Sequence, residues 1–359
     1  METTNSNNIS DCCVEKQKLA VVTGRRANIN WQRFVECIDA SSRVLLTAHR
    51  RPDGDCLGSE LAMYHILTSL NKDVRILNHH ELPETLFFLD PLRLVCGFDG
   101  LSDEMRGWIG GVDLIIILDT GVWSQLGDVG QIIRQSNAKK LVLDHHESYD
   151  DLGAERFVDS TAEATGVLVV CAADVLGVEL SYEIAFSLFV SIVTDTGWFA
   201  YSNVNSDTFR VVARLIDAGV VPAVVYKELY ERESIGRIRL IGRTLANVES
   251  FFDGQLMFAK VMLDDLKIAG AKGFETEGLS SMLLRVSDSQ VSLLVVELDD
   301  GNFKLSFRSR NKVDCNQIAK QFSGGGHKKA AGATTNLTYE ETKKQTINAI
   351  KIALDQQQN

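Results

Sequence analysis

Three short apolar runs in the first half of the chain lack the polar alternation of a strand with one face in solvent. They are RVLLTA (43–48), VDLIIIL (112–118) and KKLVL (139–143). Strands of a parallel sheet are covered on both faces, so such runs predict buried parallel strands. Between the first two, LGSELAMYHILTSL (57–70) places Leu57, Leu61 and Tyr64 on one helical stripe. These patterns predict βαβ units and an α/β fold.

A longer apolar segment, FSLFVSIV (186–193), fits a buried strand or a buried helix, because periodicity does not separate the two. The apolar pattern already begins at Tyr182, and a run from there to Val193 is longer than most strands, so we expect a helix. Upstream, Ser160-Thr161-Ala162-Glu163 has the spacing of a capping box and predicts the start of another helix.

The pattern changes near residue 230. Apolar residues recur there at helical spacing with charges between them, which predicts a helix that links two domains. They are Ile238, Ile241, Leu245, Val248 and Phe252. Farther on, Asp300-Gly301-Asn302 supplies turn residues between two β-rich runs and predicts a hairpin. The second half therefore predicts a smaller α+β C-terminal domain.

Titratable side chains follow the apolar segments of the first half where each segment ends. They are His49, Asp53 and Asp55 in AHRRPDGDCLGS, Asp119 in LDTG, Asp144, His145 and His146 in LDHHES, and Asp195 in TDTGWF. Ligand sites of open α/β sheets form at the carboxyl ends of the strands, so we expect these residues to converge. We set aside His65 and the pair His79-His80 as structural or exposed.

Convergence of four carboxylates would require cations. Asp53, Asp55, Asp119 and Asp195 would repel one another strongly in a partly dry cleft. Oxygen-rich ligation with one or two imidazoles and no thiolate favours Mn²⁺ or Mg²⁺ over a structural zinc site. Five or six ligands exceed the need of one ion and suit two ions that share a bridging carboxylate, as in phosphatases and nucleases.

A second signal lies in SFRSRNKVDCNQIAKQFSGGGHKKAAGAT, where strand alternation puts Lys304, Ser306, Arg308 and Arg310 on one face. Asp314 and Gln317 fit the start of a helix that ends at Ser323-Gly324-Gly325-Gly326. Three glycines allow the backbone to approach an anion closely. A phosphate-bearing ligand therefore fits this segment, although a flexible helix exit explains the glycines about as well.

Composition limits the partners. The chain has 359 residues, 37 basic and 48 acidic, for a net charge of −11, which disfavours an extended basic track for a long polynucleotide. Its seven cysteines are scattered and odd in number, which indicates reduced thiols in the cytoplasm. No window approaches the length of a membrane span, and the N-terminus lacks the pattern of a signal peptide.

The quoted motifs resemble those of the DHH phosphoesterase family, in order and over nearly the whole chain. FRSR and CNQIAKQFSGGGHKKAAG resemble the DHH-associated C-terminal domain of that family. Within the family, the pattern is most similar to the bacterial nanoRNase/pAp phosphatase group. The resemblance implies that the chain hydrolyses short oligoribonucleotides, linear dinucleotides or the 3′-phosphate of pAp with two Mn²⁺, for which Mg²⁺ or Co²⁺ could substitute.

The resemblance also implies residue roles. His49, Asp53 and Asp119 would hold one ion, and Asp55, Asp119, His145 and Asp195 the other. His146 would face the scissile phosphate. Arg308 and Ser309 of FRSR, with Gly324, Gly325, Gly326 and His327, would bind the substrate. The residues themselves favour a division of labour, because a persisting strand pleat would point His145 and His146 to opposite faces. Asp144 then fits a supporting role that orients an imidazole or a backbone loop.

The predicted organisation is a disordered tail over residues 1–18, a parallel-sheet DHH catalytic domain over 19–228, a linking helix over 229–252 and a substrate-binding domain over 253–359. The expected partners are short RNA or nucleotides, without long duplex nucleic acid or a membrane, and a homodimer is allowed. Three alternatives remain open: a cyclic di-AMP phosphodiesterase, a pyrophosphate or polyphosphate hydrolase, and a nucleotide-binding regulator without turnover.

Overall fold

The structure, a computed structural model, describes residues 28–310, 313–326 and 328–356. The chain divides into two compact units between Glu231 and Arg232. The tail predicted over residues 1–18 lies outside the described residues. Of the helices in the described ranges, none is long and apolar enough to cross a membrane.

The first unit contains a six-stranded sheet in which every pair of neighbours is parallel. Its order is β3-β2-β1-β4-β5-β6. The strands are β1 (Arg43–Thr47), β2 (Asp73–Asn78), β3 (Val95–Gly97), β4 (Leu114–Leu118), β5 (Lys139–Asp144) and β6 (Glu155–Val158). The three strands predicted from apolar runs are β1, β4 and β5, and the predicted parallel sheet is confirmed.

Strand β4 shows why its sequence has no polar alternation. Leu114, Ile116 and Leu118 pack into the core on one face of the sheet, and Ile115 and Ile117 pack into the core on the other. All five side chains are buried. Each contributes roughly 1.5–3 kcal/mol of transfer free energy, so a polar substitution on either face would be costly.

The helices of the first unit cover both faces of this sheet. They are Trp31–Asp39, Gly54–Ser69, Asp103–Ile109, Val129–Gln135, Thr165–Val175, Tyr182–Asp195, Ser206–Asp217 and Pro222–Tyr230, with 3₁₀ turns at Glu84–Leu89, Phe98–Gly100 and Trp123–Gln125. The helix Gly54–Ser69 is buried on nearly every side, more than the single predicted stripe suggested. The predicted helix at the segment ending near Val193 is confirmed as Tyr182–Asp195.

Two helices of the first unit approach each other unusually closely. A Cβ atom at Gly54 would collide with the side chain of Thr194, and one at Gly58 would collide with Ser187 and Ser191. These glycines therefore let the helix Gly54–Ser69 lie directly against the helix Tyr182–Asp195.

The capping box predicted at residues 160–163 is wrong. The next helix begins at Thr165, after the N-cap residue Ala164. Thr161 instead donates its backbone N–H and its hydroxyl to the Asp159 carboxylate, at 2.9 and 2.7 Å. Glu163 is instead held by the tertiary partners Asn205 and Thr208.

The second unit contains a mixed six-stranded sheet in the order β11-β12-β10-β9-β8-β7. Only β8 and β9 pair in parallel. The strands are β7 (Glu249–Phe251), β8 (Leu256–Val261), β9 (Val291–Glu297), β10 (Phe303–Ser309), β11 (Gly325–Gly326) and β12 (Ala330–Thr335). The helices are Ile235–Ala246, Leu263–Ala269, Leu279–Leu283, Cys315–Lys320 and Tyr339–Asp355, with a 3₁₀ turn at Gly273–Thr276. A smaller α+β unit is confirmed.

The linking helix predicted over 229–252 is too long. The observed helix runs from Ile235 to Ala246 and is followed by strand β7, and Phe252 has a left-handed backbone with φ of +57°. Its buried side includes Leu240, whereas the predicted stripe residue Ile238 is 51% exposed. Helical spacing continued by coincidence into a strand and a turn.

The predicted hairpin is confirmed between β9 and β10, where Gly301 has a φ of +80° and Asn302 donates its backbone N–H to Asp300. The alternation predicted along β10 also holds. Phe303, Leu305 and Phe307 are buried, and the residues between them are not.

Candidate metal centre

The order of the first sheet reverses between β1 and β4, which places a crevice at the carboxyl ends of these two strands. His49 and Asp53 follow β1, and Asp53 is the N-cap of the helix Gly54–Ser69. Asp119 follows β4 directly, and His145 follows β5. Asp195 is the last residue of the helix Tyr182–Asp195. The sequence expectation that these side chains converge is therefore met.

One group of side chains contains His49, Asp53 and Asp119. The Nε2 atom of His49 lies 3.6 Å from Oδ1 of Asp53 and 3.3 Å from Oδ2 of Asp119. One potential ligand atom from each of the three residues lies within 4.8 Å of the others. These distances suit three donors around one cation.

A second group contains Asp55, His145 and Asp195. The Nε2 atom of His145 lies 3.7 Å from Oδ2 of Asp55 and 3.6 Å from Oδ2 of Asp195. It also lies 3.5 Å from Oδ1 of Asp119. Asp119 thus turns one carboxylate oxygen towards each group, which is the arrangement of a carboxylate that bridges two cations.

The backbone conformation of Asp119 and a hydrogen bond of His145 orient these two candidate ligands. Asp119 has a φ of +59°, a left-handed conformation that aspartate tolerates better than most residues but that still costs free energy. The Nδ1 atom of His145 lies 3.1 Å from the carbonyl oxygen of Ala162. Since a carbonyl only accepts, Nδ1 donates this hydrogen bond, which leaves Nε2, the atom that faces the carboxylates, as the potential ligand atom.

Four hydrogen bonds hold the carboxylate of Asp55. Its carboxylate accepts from the backbone N–H groups of Thr165 and Gly166 at 2.8 and 3.1 Å. It also accepts from the hydroxyls of Ser59 and Ser191 at 3.2 and 2.5 Å. The first N–H groups of the helix Thr165–Val175 are thereby satisfied by a carboxylate, which a helix N-terminus favours.

The electrostatics agree with a site built for positive charge. Burial and the neighbouring Asp55 raise the pKa of Asp119 to about 7, and the same two causes raise the pKa of Asp195 to about 6. Burial alone would lower the pKa of His49, but its contacts with Asp119 and Asp53 outweigh it and raise the pKa to about 10. When no cation is bound, protons reduce the negative charge of the cluster.

His146 differs from His145. Its ring is 53% exposed, and its Nδ1 lies 2.8 Å from Oδ1 of the buried Asp144. This hydrogen bond is the main reason why the pKa of His146 is raised to about 9. Because β5 ends at Asp144, the pleat does not continue, and the two histidine rings stand 4.6 Å apart in an edge-to-face contact. The predicted opposition of the two imidazoles is wrong, and both rings approach Oδ1 of Asp119, His145 at 3.5 Å and His146 at 3.7 Å.

The two predicted substrate residues of β10 lie on opposite faces of the strand. Arg308 lies on the less buried face of β10, and its Nη1 donates to the Phe307 carbonyl at 2.9 Å. Ser309 lies on the core face, is buried, and donates its hydroxyl to the Val313 carbonyl at 2.7 Å. The substrate role predicted for Ser309 therefore finds no support in its contacts and stays a prediction.

The glycines of the second unit have a packing explanation. A Cβ atom at Gly324 would collide with the Gly332 carbonyl, and one at Gly326, where φ is +144°, would lie 2.6 Å from the Ala330 carbonyl. A Cβ at Gly325 would meet Asn316 only at 3.8 Å. His327, also predicted to bind substrate, lies outside the described residues.

Several supporting residues escaped the sequence prediction. They are Ser59, Glu60, Asn78, Glu163, Thr165, Gly166 and Ser191. One signal was available, because Ser59 follows Asp55 by one helical turn and donates to its carboxylate, whereas Ser191 reaches Asp55 from another helix. Small hydroxyls one turn from an aspartate indicate a hydrogen-bonded carboxylate.

The donor set fits divalent cations with a preference for oxygen. It offers four carboxylates and two imidazoles, and the nearby Cys56 thiol is no alternative ligand, because burial and then Glu60 raise its pKa well above the usual value. The described cysteines, Cys37, Cys56, Cys96, Cys171 and Cys315, are free thiols.

Comparison with known proteins agrees with the geometry. Residues 43–191 match the DHH family, N-terminal domain, and residues 258–356 match the DHHA1 domain. The chain is 31% identical over 315 residues to the bifunctional oligoribonuclease and PAP phosphatase NrnA of Thermus thermophilus, covering 86% of this chain and 89% of that protein. It is 24% identical to the cyclic-di-AMP phosphodiesterase GdpP of Geobacillus thermodenitrificans over 90% of this chain and 50% of that protein. A crystal structure of an exopolyphosphatase-related protein from Bacteroides fragilis superposes with a TM-score of 0.83 at 25% identity, covering 91% of this chain and 95% of that one.

Proposed function

The chain belongs to the DHH family of phosphoesterases, and from this we propose that it hydrolyses short oligoribonucleotides and the 3′-phosphate of pAp with two Mn²⁺ ions. The observation that carries the proposal is Asp119, whose two carboxylate oxygens face two separate groups of ligands. The relative named as a bifunctional oligoribonuclease and PAP phosphatase, which aligns over most of its length, supports the choice of substrate.

The proposed ion sites follow the two groups. His49, Asp53 and Asp119 would hold one ion, and Asp55, Asp119, His145 and Asp195 would hold the other. Two such ions supply an activated water and neutralise the charge on a phosphoryl group. Carboxylate oxygens favour Mn²⁺ or Mg²⁺, and the two imidazoles shift our choice to Mn²⁺, with Mg²⁺ and Co²⁺ as substitutes to be tested.

We assign His146 to the phosphate. Asp144 accepts from its Nδ1–H, which fixes the ring and leaves Nε2 to meet a phosphoryl or leaving oxygen. The exposure of the ring supports this role, since the substrate must reach it. Asp144 then acts through His146 and touches no substrate.

A short substrate fits the distribution of charge. Residues 302–332 carry seven Lys or Arg and one Asp within an acidic chain, so basic charge is local. Arg308 is the side chain that we assign to a substrate phosphate, with Gly324, Gly325, Gly326 and His327 as the further predicted contacts. The cytoplasmic location stays part of the proposal, and the homodimer stays a prediction.

A substrate panel tests the proposal. Purified protein with Mn²⁺, Mg²⁺ or Co²⁺ is incubated with pAp, pApA, cyclic di-AMP, RNA of two to ten nucleotides and pyrophosphate, and the products are separated by chromatography. We expect AMP and phosphate from pAp and mononucleotides from pApA, fastest with Mn²⁺.

Each alternative has its own signature in the same panel. Cleavage of cyclic di-AMP with slow turnover of pAp would replace the proposal with the activity named for the GdpP relative. Hydrolysis of pyrophosphate without hydrolysis of pAp would replace it with a pyrophosphatase. Binding of pApA without cleavage over hours would indicate a regulator that has lost turnover.

A further inference from the structure

One short segment supports several of the proposed ligands at once. Residues 159–166 connect β6 to the helix Thr165–Val175. The Ala162 carbonyl accepts from Nδ1 of His145 at 3.1 Å, and the Thr165 hydroxyl donates to Asp119 at 2.8 Å. Together with the two backbone N–H groups that bind Asp55, this segment contacts three of the six proposed ligands.

The segment needs an anchor, because it contains no regular secondary structure before Thr165. Glu163 provides one near its centre. Its side chain is buried, and its Oε1 accepts from Nδ2 of Asn205 at 2.6 Å and from the hydroxyl of Thr208 at 2.8 Å. The Glu163 carbonyl also accepts from Asn203 at 3.3 Å.

The partners of Glu163 are themselves fixed. Asn205 is the N-cap of the helix Ser206–Asp217, and its backbone N–H donates to the Thr208 hydroxyl at 3.0 Å in a capping box. A carboxylate at this helix start gains from the helix dipole. Glu163 therefore ties the supporting segment to a rigid element that contains none of the proposed ligands.

We propose that Glu163 is a positioning residue for the metal centre, which acts on His145 through the Ala162 carbonyl and on Asp55 and Asp119 through Thr165 and Gly166. The inference rests on the proposed function, because the ions are part of it. Loss of the anchor lets the segment shift, which misplaces the His145 lone pair and the Asp55 carboxylate. Outer hydrogen bonds of this kind typically change metal affinity by about 10–100-fold.

The test compares Glu163→Ala with Glu163→Gln and with a matched control. Gln keeps an Oε1 acceptor for Asn205 and Thr208, whereas Ala removes it. The control is Asp174→Ala, which breaks the pair of Asp174 with Arg214 at 2.9 Å. That pair joins the helix Thr165–Val175 to the same helix Ser206–Asp217, but at a site away from the supporting segment.

The primary measurement is Mn²⁺ affinity by isothermal titration, with the melting temperature of each metal-free variant recorded alongside. We expect Glu163→Ala to weaken Mn²⁺ binding by about 10–100-fold. We expect Glu163→Gln to stay within about threefold of the wild type, and Asp174→Ala to lose stability without losing Mn²⁺ affinity.

Two results would overturn the inference: Mn²⁺ affinity of Glu163→Ala equal to the wild type, or an equal loss in Asp174→Ala. If Glu163→Ala does not fold, Thr208→Val decides, since it keeps Glu163 and removes the hydroxyl that donates to it and accepts from the Asn205 backbone N–H; a several-fold loss of Mn²⁺ affinity supports the role and no loss refutes it. Hydrolysis of pAp by the wild type is assayed separately, so failure of the proposed function remains distinguishable from failure of this role.

Discussion

The two units carry their candidate chemistry in opposite ways. In the first unit, Asp55 and Asp119 are almost inaccessible to solvent, and hydrogen bonds from neighbouring residues such as Thr165 hold their carboxylates. In the second unit, Ser309 is buried, but Gly325 and Gly326 are exposed and form only a two-residue strand. Burial restricts the carboxylates of the first unit to one geometry, whereas packing alone can explain the glycines of the second unit.

The difference teaches where a local motif is informative. A buried carboxylate among other carboxylates has no simple structural explanation, because desolvation and repulsion both oppose it. A glycine beside a strand has one, because close backbone packing requires it at Gly324 and Gly326. The first motif therefore indicates a functional site more strongly than the second, and a functional measurement tests both.

The largest effect is expected from a substitution in the candidate metal centre of the first unit. Asp119→Ala removes the carboxylate that faces both groups, so we expect kcat/KM for pAp to fall by at least ~10³-fold, or about 4 kcal/mol. His145→Ala should act similarly. Titration with Mn²⁺ should show fewer bound ions in Asp119→Ala than in the wild type.

The matched control for this change is Asp128→Ala, an aspartate later in the same connection whose carboxylate lies 3.5 Å from Nδ1 of His79. It should retain activity within about threefold. Near-normal turnover of Asp119→Ala would contradict a two-ion site.

The next effect separates packing from binding in the second unit. Gly324→Ala should destabilise the protein by about 2–4 kcal/mol, because its Cβ would enter the Gly332 carbonyl, whereas Gly325→Ala meets no close atom. Urea unfolding measures both. If Gly325→Ala then keeps its stability but raises KM for pAp, the loop contacts substrate; an unchanged KM would leave packing as the sole role of these glycines.

The convergence of side chains at the strand ends was predictable, because it follows from the topology of a parallel sheet. His49, Asp119 and His145 follow β1, β4 and β5, and parallel strands that neighbour one another end at the same edge. The support of Asp55 by Thr165 and Gly166 was not predictable, because it joins residues 110 and 111 positions apart that no local pattern connects.

Ser309 shows where a family motif and strand periodicity point in different directions. The alternation along β10 places it on the face of Phe303, Leu305 and Phe307, which is the core face. The resemblance of FRSR to a family motif instead predicts a substrate contact. A motif transferred as a block therefore needs a residue-by-residue check against the periodicity of its strand.

A smaller effect concerns Arg308. We expect Arg308→Ala to raise KM for pAp by about tenfold, or ~1.4 kcal/mol, with little change in kcat and in the turnover of a generic phosphoester that lacks a second phosphate. Lys304→Ala is the control, since Lys304 lies exposed on the same face of β10. An equal rise in KM for both variants would reduce the role of Arg308 to general charge.

The last prediction concerns Glu60, which is fully buried in the helix Gly54–Ser69. Burial raises the pKa of Glu60 to about 8, although its Oε2 accepts from Nδ2 of Asn78 at 2.7 Å. The folded state therefore holds a proton that the unfolded state releases above about pH 4.5, so this group's contribution to stability falls as the pH rises from about 4.5 to 8, by up to ~1.4 kcal/mol per pH unit.

Glu60→Gln, which cannot ionise, should flatten the pH dependence of the free energy of unfolding, measured by urea denaturation in EDTA at pH 5.5 and 7.5. The exposed Glu84→Gln serves as control and should keep the wild-type slope. Equal slopes in all three proteins would mean that Glu60 is ionised in the folded state despite its burial.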